Sequence, residues 1–493
     1  MKLRKLSALS LTLSIVTLAL AGCAVGPKYE RADVDTPKAF KESAISAGDA
    51  SRWQAAQPAD QLARGEWWAI FHDAALDDLE AQATGANQDL KAAAARLRQA
   101  RALQVGVRSA LYPQLDAGVG ATRERQSPAA RGISNDAPSS ASTLYRAQLG
   151  VSYEVDLFGR VSSAVSAGAA DLERSEALYR SVELALQADV AQAYFLVRQL
   201  DAAMTLYANT VTLREKGFGL MQRRFDAGDI TELDLSRAKS ELASARAEYK
   251  GFERQRAVAE HALAILLGKT PAEFSFPAQP IARVAVAIPA GLPSQLLERR
   301  PDIAAAERAM AAANARIGVA KAAFYPRVSL TGSFGSEASN LGDLFSWSSR
   351  MFLLGPAAGL SMVSLPIFDG GRRRSDLDRA RARYDEDVSA YRQTVLNGFR
   401  EVEDNLSSLR LIGEQTAEQD DAVASAARAA KISQVQYREG SASFLDVLDA
   451  DRNVLTQRRV SVQLDGERAR YAVNLIRAIG GAWQPATRFV FSK

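Results

Sequence analysis

Cysteine is almost absent. Cys23 is the single one in 493 residues, so no disulfide can close within the chain, and once that sulfur is modified no thiol is left for catalysis. Histidine is nearly as scarce. His72 and His261 stand in unrelated sequence surroundings, no histidine–carboxylate metal spacing occurs, and no Gly-x-Ser-x-Gly elbow is found. Aromatic residues make up 7% of the chain, and proline is missing throughout 160–225 and 372–437. Ala-rich, charge-laced sequence of this kind points to long helices. An excess of basic charge is missing too: the formal charge of +4 falls to +1 when Lys2, Arg4 and Lys5 leave with the first 22 residues, which leaves nothing to drive nucleic-acid binding.

Those 22 residues read as a secretory signal. Three basic residues precede an apolar run from Leu6 to Leu20 that is too short to remain as a membrane helix of ~20 residues. The signal ends in Leu20-Ala21-Gly22-Cys23, which resembles a bacterial lipobox, so Cys23 is expected to carry covalent lipid (N-acyl and S-diacylglycerol). The next residue is Ala24, not the aspartate that resembles an inner-membrane retention signal, so the expected destination is the outer membrane. No other cofactor and no metal is expected.

The chain also repeats itself. Tyr179, Gly228, Leu233, Asp234, Leu263 and Gly268 recur 212 positions later as Tyr391, Gly440, Leu445, Asp446, Leu475 and Gly480. A duplicated unit this large implies a symmetric architecture in place of one asymmetric catalytic cleft. Within each copy the period changes. Residues 24 to 66 read as an extended segment lying over other structure, and a helix is expected from Asp73 to Ser109, ended by Tyr112-Pro113. Leu115 to Ala121, and Tyr145 to Leu157 after a Ser/Pro/Gly-rich loop (127–143), alternate apolar with polar residues. Such runs of ~10 residues suit either a tilted transmembrane strand or a half-buried strand of a soluble sheet. The lipobox, the long loop and a duplicate hairpin favour the membrane. In that duplicate Val328, Leu330 and Phe334 alternate with Ser329, Thr331 and Ser333, and a return strand is expected through Leu360 to Leu365. Helices of ~100 Å are expected from Arg160 to Phe225 and from Arg372 to Tyr437; each reverses at a glycine, Gly228 or Gly440, and returns to Gly268 or Gly480. Gly370-Gly371-Arg372-Arg373-Arg374 reads as a turn entering the second long helix, not as a phosphate loop.

Four membrane strands cannot close a barrel by themselves, and lipid forbids open sheet edges. Two copies would give 8 strands and little lumen. Three give 12 and room for water, so a trimer is expected, its helices continuing the barrel as a hollow tube.

At this point the sequence resembles a known family. Cys23-Ala24-Val25-Gly26-Pro27-Lys28-Tyr29, Trp67-Trp68-Ala69-Ile70-Phe71-His72-Asp73, Arg300-Pro301-Asp302-Ile303, and the paired turns Phe225-Asp226-Ala227-Gly228 and Tyr437-Arg438-Glu439-Gly440 are similar to the TolC-like outer-membrane efflux factors, in particular their NodT-type lipoprotein branch. Ala74 departs from the proline common after that aspartate, which should touch only the helix start. The resemblance implies an α+β membrane protein: a 12-stranded transmembrane β-barrel shared by a homotrimer, four strands per chain, continuous with a long periplasmic α-helical barrel. It implies a non-enzymatic exit duct for drugs and other small molecules, working with a periplasmic adaptor (membrane fusion protein) and an inner-membrane transporter. The expected division is a signal (1–22), a first repeat (23–298) and a second (299–493). The first holds an extension, a helix, a hairpin at about 114–157, a helical hairpin at about 160–268 and an equatorial segment at 269–298. The second holds a helix at 299–325, a hairpin at about 327–367, a helical hairpin at about 371–480 and a C-terminal equatorial segment at 481–493. A conduit for type I protein secretion is the alternative within the class, and a periplasmic adaptor or tethering lipoprotein the alternative outside it.

The resemblance also assigns the turns. Leu445, Asp446 and Asp449 fall on positions that line a closed periplasmic entrance, Tyr437 on one that holds the closed state, and Asp234 on an acidic tip position. Three-fold symmetry would turn each into a ring that attracts cations and raises the carboxylates' own proton affinity. The plainer reading of Asp446 and Asp449 is an acidic pair complementing a helix N-terminus. Arg237, the repeat partner of Asp449, is expected either to latch an aspartate at the tip or to lie on a solvated face, and Ala442 stands where some members place an arginine partner. The turns at Gly228 and Gly440 are where an adaptor's helical hairpins would dock.

Overall fold

The computed structural model describes residues 25–42, 66–125, 127, 140–283, 299–354 and 362–481. The signal, the lipid site Cys23, most of the 127–143 loop and the expected equatorial stretches 284–298 and 482–493 lie outside the described residues. In chain order the elements are α1 (Ala74–Ala86), α2 (Gln88–Arg108), β1 (Gln114–Glu124), β2 (Ser142–Val155), α3 (Arg160–Asp226), α4 (Glu232–Leu266), α5 (Pro301–Ala322), β3 (Arg327–Ala338), β4 (Arg350–Leu354), β5 (Val363–Ser364), α6 (Arg372–Arg438) and α7 (Phe444–Ala478). Helices α3 and α6 have 67 residues each and α4 and α7 have 35 each, every pair starting 212 positions apart. No described helix is long and apolar enough to cross a membrane.

The expected single helix over 73–109 is two. Asn87 ends α1 by donating its backbone N–H to the Ala83 carbonyl and starts α2 by accepting the Leu90 N–H at 3.0 Å. Its amide also donates to the Leu266 carbonyl at 2.9 Å, so the break is fastened to α4. At the other end of α1, Asp73 caps the helix through the Ala75 and Leu76 N–H groups, and this cap forms with Ala74 in the position where proline is usual.

Contacts divide the chain into two compact units, and each repeat contributes to both. The first (Met1–Asp33, Leu97–Ser175, Ala306–Tyr391) holds the sheet. Strand order is β1-β2-β3-β4, antiparallel throughout, with β5 also on β3. The register stacks Leu115 with Val151, Val119 with Ala147, Leu149 with Phe334, and Phe334 with Phe352 on one face; these side chains are solvent-exposed to 78% at Leu115 and 85% at Val119. The opposite face carries Gln114, Gln148, Ser152, Glu154 and Thr331, with Arg146 bonded to Glu337 at 2.7 Å across the strands. An apolar face bare to solvent beside a polar one reverses the usual order of a soluble sheet.

Of the expected return strand over 360–365, Val363 and Ser364 form β5, while residues 360 and 361 lie outside the described residues. The described return strands β4 and β5 meet β3 at Gly332 opposite Leu354 and at Val328 opposite Val363. Between these points β3 advances four residues and the return nine, so the surplus breaks the two-residue period. Strand β4 is also apolar toward both faces, with Met351 and Leu353 on the polar side.

The second unit (Val34–Arg96, Glu176–Ala305, Arg392–Lys493) is packed around Trp67, Leu76 and Leu79, which meet Val190 and Phe195 of α3, Leu263 of α4 and Val473 of α7. Here too lie both hairpin turns. Gly228 and Gly440 have φ of +83° and +76°, and each ends its helix by a six-to-one bond, Asp229 N–H to the Arg224 carbonyl and Ser441 N–H to the Gln436 carbonyl. A Cβ would meet no atom at either position, so the cost of a side chain is purely conformational. Gly440→Ala is expected to destabilise the chain by about 1 kcal/mol, read as a lower midpoint of thermal unfolding.

Candidate functional site

The turns gather the residues singled out by sequence. Helix α7 opens with a capping box: the Ser443 hydroxyl accepts the Asp446 N–H, while the Asp446 carboxylate accepts the Ser443 N–H at 2.8 Å and its hydroxyl at 2.7 Å. These bonds hold the Asp446 carboxyl below the usual carboxylate range, opposite in direction to the shift a ring of like charges would impose. Leu445 is 38% exposed beside it, whereas Val447 and Leu448 are buried.

Asp449 lies one turn on and pairs with Arg452 at 3.0 Å. The same guanidinium donates from Nε to Glu241 of α4 at 2.7 Å, and Arg214 of α3 closes on the other Glu241 oxygen. Glu241 is buried, and burial together with the neighbouring Arg452 charge lowers the Arg214 proton affinity. Burial also raises the Asp451 carboxyl, which accepts from Gln434 of α6 at 3.1 Å. Thus α3, α4 and α7 converge on one carboxylate. Sequence reasoning missed Glu241 and Arg214; the only local signal was Arg452, three residues after Asp449.

Tyr437 has a partner after all. The Arg224 Nη1 donates to its hydroxyl at 2.8 Å with the guanidinium 5.9 Å from the ring, and Phe444 packs on it at 5.8 Å. Arg224 supplies from α3 what Ala442 does not. Asp234 takes the Thr231 hydroxyl at 3.0 Å and pairs at 3.7 Å with Arg237 of its own helix, and among the described residues Arg237 reaches no aspartate across the turn. The Gly370-Gly371 segment is a turn: Asp369 caps α6 through the Gly371 and Arg373 N–H groups and pairs with Arg373 at 2.6 Å. In the first unit an open cleft of about 920 Å³ lies where strands meet helices, lined by Glu154, Arg160, Arg327 and Arg372 among others. Arg160 grips Glu154 through two bonds of 2.6 and 2.7 Å. Among the described residues no group of three His, Cys, Asp or Glu could hold a metal ion.

The sequence model of the outer membrane efflux protein family matches residues 79–269 and 292–481, one stretch per repeat. The probable efflux pump outer membrane protein TtgC of Pseudomonas putida is 35% identical over 480 residues, which cover 97% of this chain and 96% of that protein. Outer membrane protein OprJ of Pseudomonas aeruginosa is 35% identical over 479 residues, again 97% and 96%. The solved outer-membrane channel OprN superposes with a TM-score of 0.83 at 32% identity, covering 94% of this chain and all of that one. The fold is therefore the TolC-like one of outer-membrane efflux channels, and the chain belongs to the outer membrane efflux protein family.

Proposed function

We propose that the chain is the outer-membrane exit duct of a tripartite efflux system, assembled as a homotrimer and fed by a periplasmic adaptor and an inner-membrane transporter. One observation carries the reading: a sheet apolar and exposed on one face, polar on the other, with open edges at β1 and β4 that lipid does not tolerate. Three such sheets joined edge to edge hide every edge and enclose the polar faces. Lipid on Cys23 would add an anchor beside the barrel. Leu445, Asp446 and Asp449 form the constriction; the Arg224–Tyr437 bond holds α6 against α3, and the Arg452–Glu241–Arg214 contacts hold α7 against α4 and α3, in the closed setting.

The test uses Asp446→Asn with Asp449→Asn, which removes charge while leaving an oxygen to cap α7. Purified trimers in planar bilayers are expected to show a several-fold higher closed-state conductance and a weaker preference for cations. Conductance equal to that of the unaltered trimer removes the constriction from these residues. Loss of the gene should sensitise cells to small toxic solutes; loss of a secreted protein instead would favour the type I secretion conduit.

A further inference from the structure

The apolar face of the sheet does not end in more apolar residues. On the strand ends farthest from the helices the same face carries Arg123, opposite Thr143, and Arg350, opposite Ser336, each in line with apolar residues: Ala121 and Val119 behind the first, Phe352 and Leu354 behind the second. The polar-face arginine Arg146 has its carboxylate in Glu337, whereas Arg350 has no carboxylate among the described residues. Its guanidinium lies 3.9 Å from the centre of the Trp347 ring, and Trp347 is 79% exposed. Phe345 (80%) and Leu341 of the β3–β4 connection and Phe352 of β4 are exposed too, and the connection is ordered by bonds among Asp343, Ser346 and Ser349.

An arginine is tolerated on a lipid-facing side only near the surface, where its head can reach the polar layer. A guanidinium that sits over an indole face without a carboxylate partner keeps N–H donors available, and those donors match the oxygens of a phosphate in pairs. From this geometry we infer that Arg350, seated on Trp347, is a recognition site for phosphate-bearing lipid headgroups of the outer leaflet. The exposed Phe345 and Leu341 enter the acyl boundary while the arginine takes the phosphate. The site continues the apolar ladder through Phe352 and Phe334, and its charge complements an anionic surface. The inference rests on the membrane-spanning reading above.

Its test uses the full chain reconstituted in vesicles of phosphatidylcholine containing brominated phosphatidylglycerol or brominated phosphatidylcholine at equal mole fraction. The Trp347 contribution is isolated by subtracting a Trp347→Phe variant. Brominated phosphatidylglycerol is expected to quench Trp347 at least twofold more strongly, with the preference shrinking at high salt. In Arg350→Gln the ratio should fall to near one, and Arg350→Lys should retain part of it. A ratio of one in the unaltered chain, or a preference that survives Arg350→Gln, overturns the site. Trp347 unquenched by either lipid overturns the membrane reading as well, so the two failures are distinguishable.

Discussion

Glu80→Gln is expected to stabilise the protein by about 3 kcal/mol at neutral pH, and to flatten the dependence of its stability on pH. Glu80 sits in α1 between the core residues Leu76, Leu79 and Ala83 with its residue surface fully covered, and neither carboxylate oxygen has a partner among the described residues. Burial alone pushes its carboxyl up to about 9. In the unfolded chain the group ionises near pH 4.5, so between these values the folded state holds a proton the unfolded state has lost. The stability conferred by the neutral acid is complete below about pH 4.5 and drains away as pH rises toward 9, at about 1.4 kcal/mol per unit. Unfolding in denaturant at pH 5, 7 and 8.5 checks the sign. A stability that rises with pH, or a Glu80→Gln variant no more stable than the parent at pH 7, would refute the assignment.

Asp201→Ala should have the opposite effect, a loss of about 3–5 kcal/mol. Asp201 of α3 is 2% exposed and accepts from Arg256 Nε at 2.6 Å and from the Gln279 N–H at 2.9 Å, with Arg198 3.6 Å away. Arg256 also donates to Glu260 and to the Phe276 carbonyl, and Arg198 donates to the Pro277 carbonyl while lying 4.4 Å from the Phe276 ring. In the stretch from Phe276 to Gln279, the Phe276 N–H and carbonyl, the Pro277 carbonyl and the Gln279 N–H are thus bonded to four charged side chains, Glu260, Arg256, Arg198 and Asp201. Removing the aspartate leaves the buried Arg198 guanidinium and the partly buried Arg256 guanidinium without the carboxylate between them. The segment should then become a site of rapid proteolysis at temperatures where the parent is resistant.

The helices were legible because their signals are local and repeated. Proline-free stretches, Gly228 and Gly440, and the 212-residue offset place α3 and α6 within one residue of the observed ends. The first strand pair was legible for the same reason, since Tyr145 to Val155 obeys a two-residue period. The return of the second pair was not, because the surplus between β4 and β5 shifts the period and Met351 and Leu353 face the polar side. At the turns the sequence could point to Asp446 and Asp449 but not to Glu241, which looks like any solvated glutamate of a charged helix until Arg214 and Arg452 arrive from two other helices. Glu80 was invisible too. Its neighbours Asp77 and Asp78 suggest a wet face, and only packing shows that the third carboxylate of that helix is buried alongside Leu76, Leu79 and Ala83.

Equal lengths of α3 and α6 limit how such a molecule can change size. The Arg224–Tyr437 bond joins residues near the ends of both, so excising two turns from α3 alone would pull its partner out of reach by about 10 Å. Shortening or lengthening of this protein has to be written twice, once in each copy, and in whole turns so that the buried stripe of every helix keeps its azimuth. A duplication that began as redundancy has become a constraint: neither half is any longer free to drift in length without the other.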